Sequence, residues 1–397
     1  MSHWKKWLKG WEDINKEDKI RKLLILVSLI LLFFCFCGPK QEEVEKIIED
    51  GVEVIVNHIE PYKIKGQPTA FNLEEEFVID TERDDIAEIG LTYIDSFGVD
   101  SEEDIYLLNS KNPENIIFRF NRKGNFIDSF GRQGQGPGEA QWPTSLRIYG
   151  HDEIAFTDSH HKFLIFTKHG NLIRETSIVS TFIDVVTPLD NGHHLIEKSL
   201  FNTRAEYIMQ RPLILCNSEF EEIKELEKYK YPNYLTKKRF NALVSDIIYK
   251  VSKGKIYVGN ADRGYEICVY DLNGNLLKKI RKEYNTIKVS EEVKKNILEK
   301  YEKPGFEGFK KKIYFPDIMP PYKSFFIDDK GELFVMTNEK GKNPEEYMFD
   351  IYNPEGIFIE RKSLNGSLGW AIVKQSRLYC LKEKESGYKE LVVYKIN

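Results

Sequence analysis

Two pairs of adjacent histidines are the residues whose type and spacing first suggest metal chemistry. One pair is His160–His161 in "DSHHKF", and the other is His193–His194 in "DNGHHL". Imidazole is a common metal ligand, but adjacent side chains on a strand point to opposite faces. We therefore expect solvated turn histidines at both places. Since the sequence has no G-x-S-x-G, H-E-x-x-H or P-loop pattern, we predict no catalytic residue, no metal site and no cofactor.

A glycine-rich stretch, "FGRQGQGPGEAQWP" at 130–143, is the second place where the sequence suggests chemistry. A phosphate-binding loop needs a helix directly after it, whereas the next residues, "TSLRIYG", have the composition of a strand. Turn formation explains the glycines and prolines. It does not explain five other side chains, which become candidates for ligand contact: Arg132, Gln133, Gln135, Glu139 and Trp142.

The charge of the chain argues against a nucleic-acid partner. The net charge of the 397 residues is −5, and residues 38–397 alone carry −8 because the first 22 residues carry +3. Nucleic-acid binding needs clustered positive charge. We interpret the acidic stretches 41–50 and 101–104 as solvated surface.

The N-terminus has the composition of a targeting segment. Residues 23–37 contain no charged residue and only one polar residue, Ser28, and they follow the basic residues Lys19, Arg21 and Lys22. Fifteen residues are few for a membrane span and typical of a signal-peptide core. The basic flank would stay in the cytoplasm and direct the body outward. We expect an exported, membrane-anchored protein on the periplasmic or cell-surface side.

Three fates of this segment remain open. It resembles a bacterial lipoprotein signal, in which a cysteine after the apolar run is lipidated, and Cys37 and Cys35 are the candidates. The residues before them, Phe36 and Phe34, are larger than such signals usually have there. The second fate is an uncleaved signal anchor, and the third is a buried helix.

A repeated pattern organises the rest of the chain. Six segments begin with an apolar strand, and in four of them a turn glycine and a second apolar run follow: Gly124, Gly170, Gly274 and Gly356 mark these turns. Such segments are typical of β-hairpins whose turn needs positive φ. A second two-strand unit precedes each hairpin. Six four-stranded units, most of them 40–50 residues apart, are typical of propeller blades.

The predicted fold class is therefore all-β: a six-bladed β-propeller of four-stranded blades, with an N-terminal signal or anchor segment and one helical insertion. The last unit lacks its fourth strand, which the strand predicted at 75–82 can supply, because ring closure removes open sheet edges. The predicted domains are a signal or anchor at 1–37, a linker or helical stalk at 38–71 outside the ring, and the propeller at 72–397.

The blade pattern, together with "FGRQGQGPGE" and the following Pro143, resembles NHL-type repeats and the bacterial six-bladed β-propeller family. This resemblance covers about four fifths of the chain. It implies the propeller fold and an exported, often lipid-anchored protein. It implies no single activity, because propellers of this kind serve mostly as binding platforms.

The propeller topology divides the connections between two faces. The A–B and C–D turns form what we call the turn face, and the four turn glycines lie there. The B–C and D–A connections form the loop face, which includes 130–143, 199–210, 229–241 and an insertion at about 284–321 with a helix predicted at 290–303. Long loops on one face of a rigid scaffold favour binding there. Eight residues are the predicted contacts: Arg132, Gln135, Glu139, Trp142, Tyr231, Tyr234, Phe306 and Phe315.

Two functions remain open. The first is a binding or scaffold module for a peptide, glycan or protein partner, tethered to the membrane by its N-terminus. The second is an enzyme with lactonase- or lyase-like chemistry, which would hold a divalent metal in the central channel. A metal site of that kind needs several Asp, Glu, Asn or His side chains from different blades, and spacing alone does not identify them.

Overall fold

The computed structural model describes residues 44–62, 72–158, 162–178, 183–201, 207–232, 239–243, 247–302, 307–365, 368 and 371–396. Within these residues the predicted six-bladed β-propeller is confirmed, with four antiparallel strands, A to D, in each blade. The expected signal or anchor segment at 1–37 lies outside the described residues. So do 38–43 and 63–71 of the expected stalk.

The blades follow one another in chain order. Strands A to D are Ser96–Val99, Ile105–Leu108, Ile117–Phe120 and Phe126–Phe130 in blade 1; Pro143–Tyr149, Glu153–Asp158, Lys162–Phe166 and Leu172–Ser177 in blade 2; Ile183–Pro188, His194–Lys198, Tyr207–Cys216 and Glu222–Pro232 in blade 3; Ile248–Ser252, Lys255–Gly259, Glu266–Asp271 and Leu276–Lys282 in blade 4; Tyr322–Ile327, Leu333–Lys340, Glu346–Tyr352 and Phe358–Asn365 in blade 5; Ala371–Lys374, Arg377–Glu383, Lys389–Ile396 and Leu73–Asp80 in blade 6.

Short elements lie between the blades. The two-residue strands are Arg132–Gln133, Glu139–Ala140, Leu200–Phe201, Phe240–Asn241 and Ile313–Tyr314. The helices are Asp84–Glu88, the 3-10 turn Ala261–Arg263, Glu291–Lys300 and Glu307–Lys310. Ser290 is the N-cap of the helix Glu291–Lys300, since its hydroxyl accepts a 3.2 Å hydrogen bond from the Val293 amide. Within the described ranges, no helix has both the length and the apolar character to cross a membrane.

The ring closes through the strand expected at 75–82. The observed strand Leu73–Asp80 pairs antiparallel with Lys389–Ile396 and completes blade 6. The ring therefore closes within one sheet, and the strand Lys389–Ile396 is paired along both edges.

The core consists of six apolar clusters, one between each pair of adjacent blades. The cluster between blades 6 and 1 includes Tyr379 and Val393 from blade 6 and Leu107 and Phe118 from blade 1. Because each blade buries both of its faces in this way, the ring buries apolar surface without a single central core.

The prediction of a linker or helical stalk at 38–71 is wrong for residues 45–57. Glu45–Glu49 and Val52–Asn57 form a β-hairpin, and Val52–Asn57 pairs parallel with Leu276–Lys282. Blade 4 is therefore a six-stranded sheet. The physical reason is apolar burial, because Val54 and Ile55 are fully buried against the propeller.

The segment after the hairpin also contacts blade 5. The Tyr62 amide donates a 2.9 Å hydrogen bond to the Phe358 carbonyl, and the Asn57 side chain bonds backbone atoms of both blades. Residues 44–62 therefore join the outer strands of blades 4 and 5, and they belong to the propeller.

The interpretation of 101–104 as solvated surface is wrong for Glu103 and Asp104, which are buried. Asp104 Oδ2 lies 2.6 Å from Arg119 Nη2, and Glu103 Oε1 lies 2.9 Å from Arg377 Nη1 of blade 6. A buried carboxylate is stable when it is paired with a cation in this way. The acidic A–B turn of blade 1 thus helps to hold blade 6 against blade 1.

Candidate functional site

The glycine-rich connection between blades 1 and 2 is a folded loop. Arg132–Gln133 pairs parallel with Glu139–Ala140, and the Gly134 amide donates a 3.2 Å hydrogen bond to the Ala140 carbonyl. The Glu139 carboxylate accepts a 3.0 Å hydrogen bond from the Gly136 amide. The same carboxylate lies so close to Gly134 that a Cβ there would overlap it. The glycines thus leave room for a compact loop with internal hydrogen bonds.

A lysine of the next blade holds this loop in place. Lys162 Nζ donates to the carbonyls of Gln135 and Gly136 at 3.2 and 3.0 Å, and it lies 3.0 Å from Glu175 Oε1. Glu175 in turn accepts a 2.7 Å hydrogen bond from the Gly138 amide. One ion pair therefore fixes both halves of the loop to blade 2.

Trp142 lies at the end of this loop, and its side chain is 62% exposed. The carboxylate of the buried Asp158 accepts hydrogen bonds from the amides of Gln141 and Trp142, at 3.0 and 2.9 Å. The backbone of Trp142 is therefore fixed, while more than half of the residue's surface remains exposed.

The structure brings four of the predicted contacts together on this loop. Arg132 and Gln135 are exposed, like Trp142, whereas Glu139 is partly buried and its carboxylate bonds within the loop. The side chain of Gln133 has a structural role, since it donates a hydrogen bond to the Ser110 carbonyl.

The other predicted contacts belong to different connections of the loop face. Phe315 is partly buried and follows Ile313–Tyr314 between blades 4 and 5, which lies across the ring from the junction of blades 1 and 2. Tyr231 pairs through its backbone with Met209. Tyr234 and Phe306 lie outside the described residues. The structure therefore does not unite the eight residues in one site.

A polar network on the innermost strands was not anticipated from the sequence. Arg147 Nε donates to Thr187 Oγ1 at 3.3 Å, and Thr187 Oγ1 lies 2.9 Å from the Tyr249 hydroxyl. These residues are on strands A of blades 2, 3 and 4. Burial raises the pKa of the nearby Glu197 carboxyl, while Arg211 and Arg147 act in the opposite direction. The sequence signal for this network is the presence of polar residues within strands A, where the blades meet.

Lys250, on strand A of blade 4, is the most perturbed base near this network. Burial, together with the charge of Arg147, lowers its pKa to about 8. Among the described residues, no carboxylate lies within 4 Å of its ammonium group. The channel side of blades 2 to 4 therefore holds two cations close enough to repel each other.

The turn face has a concavity of about 430 Å³ beside blade 1. Its lining is entirely polar and carries both signs of charge: Glu102, Asp104, Asn121, Arg122, Lys123 and Asn125. Ligand pockets are usually lined mainly by apolar and aromatic side chains, so this concavity is a weak candidate for a binding site.

The histidines do not form a metal site in the described part of the chain, where no group of three or more His, Cys, Asp or Glu could hold a metal ion. His160 and His161 lie outside the described residues. The expectation of a solvated histidine is wrong for His194, which is buried and stacks on Phe220 with ring centroids 4.4 Å apart. Burial lowers the pKa of His194.

Together, the fold and the loop define a closed β-propeller with an elaborated loop face. The chain belongs to the family described as 6-bladed beta-propeller (DUF5128), whose model matches residues 91–303.

Two solved structures are similar to this chain. One is a protein of Bacteroides fragilis NCTC 9343 described as a candidate exported protein; its TM-score is 0.47 at 12% identity, and the match covers 86% of this chain and 99% of the other. The second is a luciferin-regenerating enzyme, with a TM-score of 0.41 at 10% identity, and the match covers 80% and 94% of the two chains. No curated protein matches the chain in sequence.

Proposed function

We propose that the protein is an exported, membrane-tethered binding module that holds a peptide, glycan or protein partner on its loop face. The residues proposed for contact are Arg132, Gln135 and Trp142 at the junction of blades 1 and 2. The propeller supplies a rigid frame, and the N-terminal segment supplies the tether.

The exposed indole of Trp142 is the observation on which this proposal rests. A large aromatic side chain loses little conformational entropy when it is covered, and such residues often dominate binding energy. Here Asp158 and Lys162 already fix the backbone that presents it. A fixed loop has less entropy to lose on binding, which favours affinity.

The nearest polar side chains fit the same role. Arg132 can donate several hydrogen bonds in a plane, and Gln135 can both donate and accept. Both are exposed on the same loop as Trp142. An aromatic surface bordered by adaptable hydrogen-bonding groups suits an extended peptide or a sugar ring.

Site-specific photo-cross-linking in cells that produce the full chain tests this proposal. A photoreactive amino acid replaces Trp142 in one variant and Lys123 in the other. Lys123 is the control, because it is exposed and lies in the C–D turn of blade 1, on the turn face. We expect a discrete adduct from position 142 and none from position 123.

The chemistry of the adduct then identifies the partner class. Mass spectrometry of the digested adduct shows whether the peptide that carries position 142 is linked to amino acids, which indicates a peptide or protein, or to sugar, which indicates a glycan. Adducts of equal yield from both positions, or an adduct from position 123 alone, would overturn the assignment of the loop face.

A further inference from the structure

Two elaborated connections of the loop face pair with each other. Phe240–Asn241, before blade 4, pairs parallel with Ile313–Tyr314, before blade 5. The Phe240 amide donates to the Lys312 carbonyl at 2.9 Å, and Phe240 and Ile313 are buried. We call residues 239–241 and 307–318 the basic corner. It is one structured surface although it comes from two parts of the chain.

The basic corner exposes cations next to aromatic and aliphatic side chains. Arg239 and Lys311 are exposed, and the Arg239 guanidinium lies 5.8 Å from the centroid of the Tyr314 ring. Tyr314 and Ile318 are 40% and 42% exposed. Lys310 is exposed too, although Glu302 pairs with it at 2.6 Å.

The local charge contrasts with that of the whole protein. Residues 228–241 contain five Lys or Arg and no Asp or Glu, in a chain whose net charge is −5. This stretch leads into the basic corner. Positive charge next to exposed tyrosine and isoleucine is the composition of surfaces that meet an anionic membrane.

The N-terminal hairpin begins close to the root of the same insertion. The His58 ring lies between two carboxylates, with Nε2 3.2 Å from Glu45 Oε2 and Nδ1 3.2 Å from Glu283 Oε2. The Glu283 amide donates a 2.8 Å hydrogen bond to the Asn57 carbonyl. Glu283 directly follows strand D of blade 4, so the chain enters the propeller at the loop-face end of that blade.

The length of chain before this point limits its distance from the membrane. Val44 lies seven positions after Cys37, and a fully extended chain of seven steps spans about 25 Å. This step rests on the tether of the proposed function. With the tether in place, the loop-face end of blade 4 stays near the lipid surface.

We propose that the basic corner rests on the anionic headgroups of the membrane that holds the tether. Arg239 and Lys311 contact lipid phosphates, and Tyr314 and Ile318 enter the interfacial layer. The junction of blades 1 and 2, with Trp142, lies on the opposite side of the ring and stays open to a partner.

Fluorescence quenching of the full chain in vesicles tests this contact. A fluorophore is attached through Ile318→Cys or through Lys123→Cys. Both residues are exposed, and Lys123 lies in the C–D turn of blade 1, on the turn face. The body cysteines Cys216, Cys268 and Cys380 are buried, and the wild-type chain gives the labelling background. The vesicles contain phosphatidylcholine alone or mixed with phosphatidylglycerol, and a headgroup-attached quencher reports proximity.

We expect the probe at 318 to be quenched several-fold more than the probe at 123 in the mixed vesicles, and this difference to fall as salt screens the charges. The double variant Arg239→Gln, Lys311→Gln should reduce the difference in quenching between the two probes. Lys253→Gln, in the A–B turn of blade 4, should leave this difference unchanged. Equal quenching of the two probes, or quenching of the 318 probe that does not respond to phosphatidylglycerol, overturns the proposal.

Failure of the tether has a different result. A chain that begins at residue 38 keeps every described element, and its basic corner should still sediment with the mixed vesicles and not with phosphatidylcholine alone. If the full chain does not sediment with phosphatidylcholine vesicles, the tether is refuted. If the 38–397 chain does not sediment with the mixed vesicles, the membrane contact of the basic corner is refuted.

Discussion

The side-chain carbonyl of Asn57 accepts a 2.7 Å hydrogen bond from the backbone amide of Phe358, which lies 301 residues further along the chain. The Asn57 amide also donates to the carbonyls of Gly356 and Arg281, at 3.1 and 3.2 Å, and the residue is fully buried. One side chain therefore satisfies backbone groups of two blades, and the N-terminal hairpin is an integral part of the ring.

We predict that Asn57→Ala lowers the free energy of unfolding by about 2–4 kcal/mol, because it leaves buried backbone groups without partners. Denaturant unfolding measures the change. Asn125→Ala is the matched control, since Asn125 lies exposed in a C–D turn, and it should change the stability by less than about 0.5 kcal/mol. Equal stability of the two variants would mean that the hairpin does not hold blades 4 and 5 together.

The existence of the hairpin could have been predicted from the sequence, but its position could not. Asp50–Gly51 between two apolar runs is a strong hairpin signal, and both residues have positive φ, at 50° and 81°. The pairing with blade 4 depends on residues such as Arg281, 224 positions from Asn57. No local pattern contains that information.

Lys162→Met should loosen the loop that presents Trp142. The variant loses the hydrogen bonds to the Gln135 and Gly136 carbonyls and the ion pair with Glu175. We expect hydrogen exchange at the Gly134 and Gly138 amides to become about tenfold faster or more, because local opening costs less free energy.

Lys168→Met is the control for this loop. Lys168 pairs with Glu102 at the surface, on the turn face, and does not contact the loop. Unchanged exchange at Gly134 and Gly138 in Lys162→Met, or an equal change in Lys168→Met, would show that Lys162 does not hold the loop.

The sequence showed that turn formation accounts for the glycines and prolines of this loop. Its exposed side chains, Arg132, Gln135 and Trp142, were also among the predicted contacts. Lys162 was not identified, because its role depends on a hydrogen-bond geometry that only the folded blade 2 creates. For the same reason the local sequence predicts solvated side chains at Glu103 and Asp104, although their partners include Arg377 of blade 6.

Gly274→Ala should destabilise the protein through both strain and overlap. Gly274 has φ of +79°, and an added Cβ would lie 2.9 Å from Leu215 Cδ2. Gly387 has φ of +82° with open space around it, so Gly387→Ala isolates the strain. In thermal or denaturant unfolding, we expect the free energy of unfolding to fall by about 1 kcal/mol in Gly387→Ala and by about 2–3 kcal/mol in Gly274→Ala. A smaller loss at Gly274 than at Gly387 would contradict the close packing of blades 3 and 4.

Lys250→Met should make the protein more stable near neutral pH. The pKa of Lys250 is about 8 in the folded chain, whereas an unperturbed lysine has a pKa of 10.5. Between these values the unfolded chain binds more protons, so the free energy of unfolding of the wild type rises with pH across this range. Below pH 8 Lys250 is charged in the folded wild type, and this charge destabilises the fold. Removing the charge should raise the free energy of unfolding by about 1–3 kcal/mol.

The gain from Lys250→Met should therefore shrink as the pH rises from 8 towards 10.5. Denaturant unfolding at several pH values measures this trend, with Lys253→Met as an exposed control on the same blade. A gain from Lys250→Met that is the same at pH 7 and pH 10 would show that Lys250 titrates normally.

The measurement that tests the central claim most directly compares Trp142→Ala with Lys123→Ala in their affinity for the partner captured by cross-linking at position 142. The account predicts that Trp142→Ala weakens binding about thirtyfold, which corresponds to about 2 kcal/mol. Lys123→Ala should leave the affinity within about twofold, because Lys123 lies on the turn face. Unchanged affinity of Trp142→Ala, with a loss in Lys123→Ala, would contradict the claim that the protein binds through its loop face.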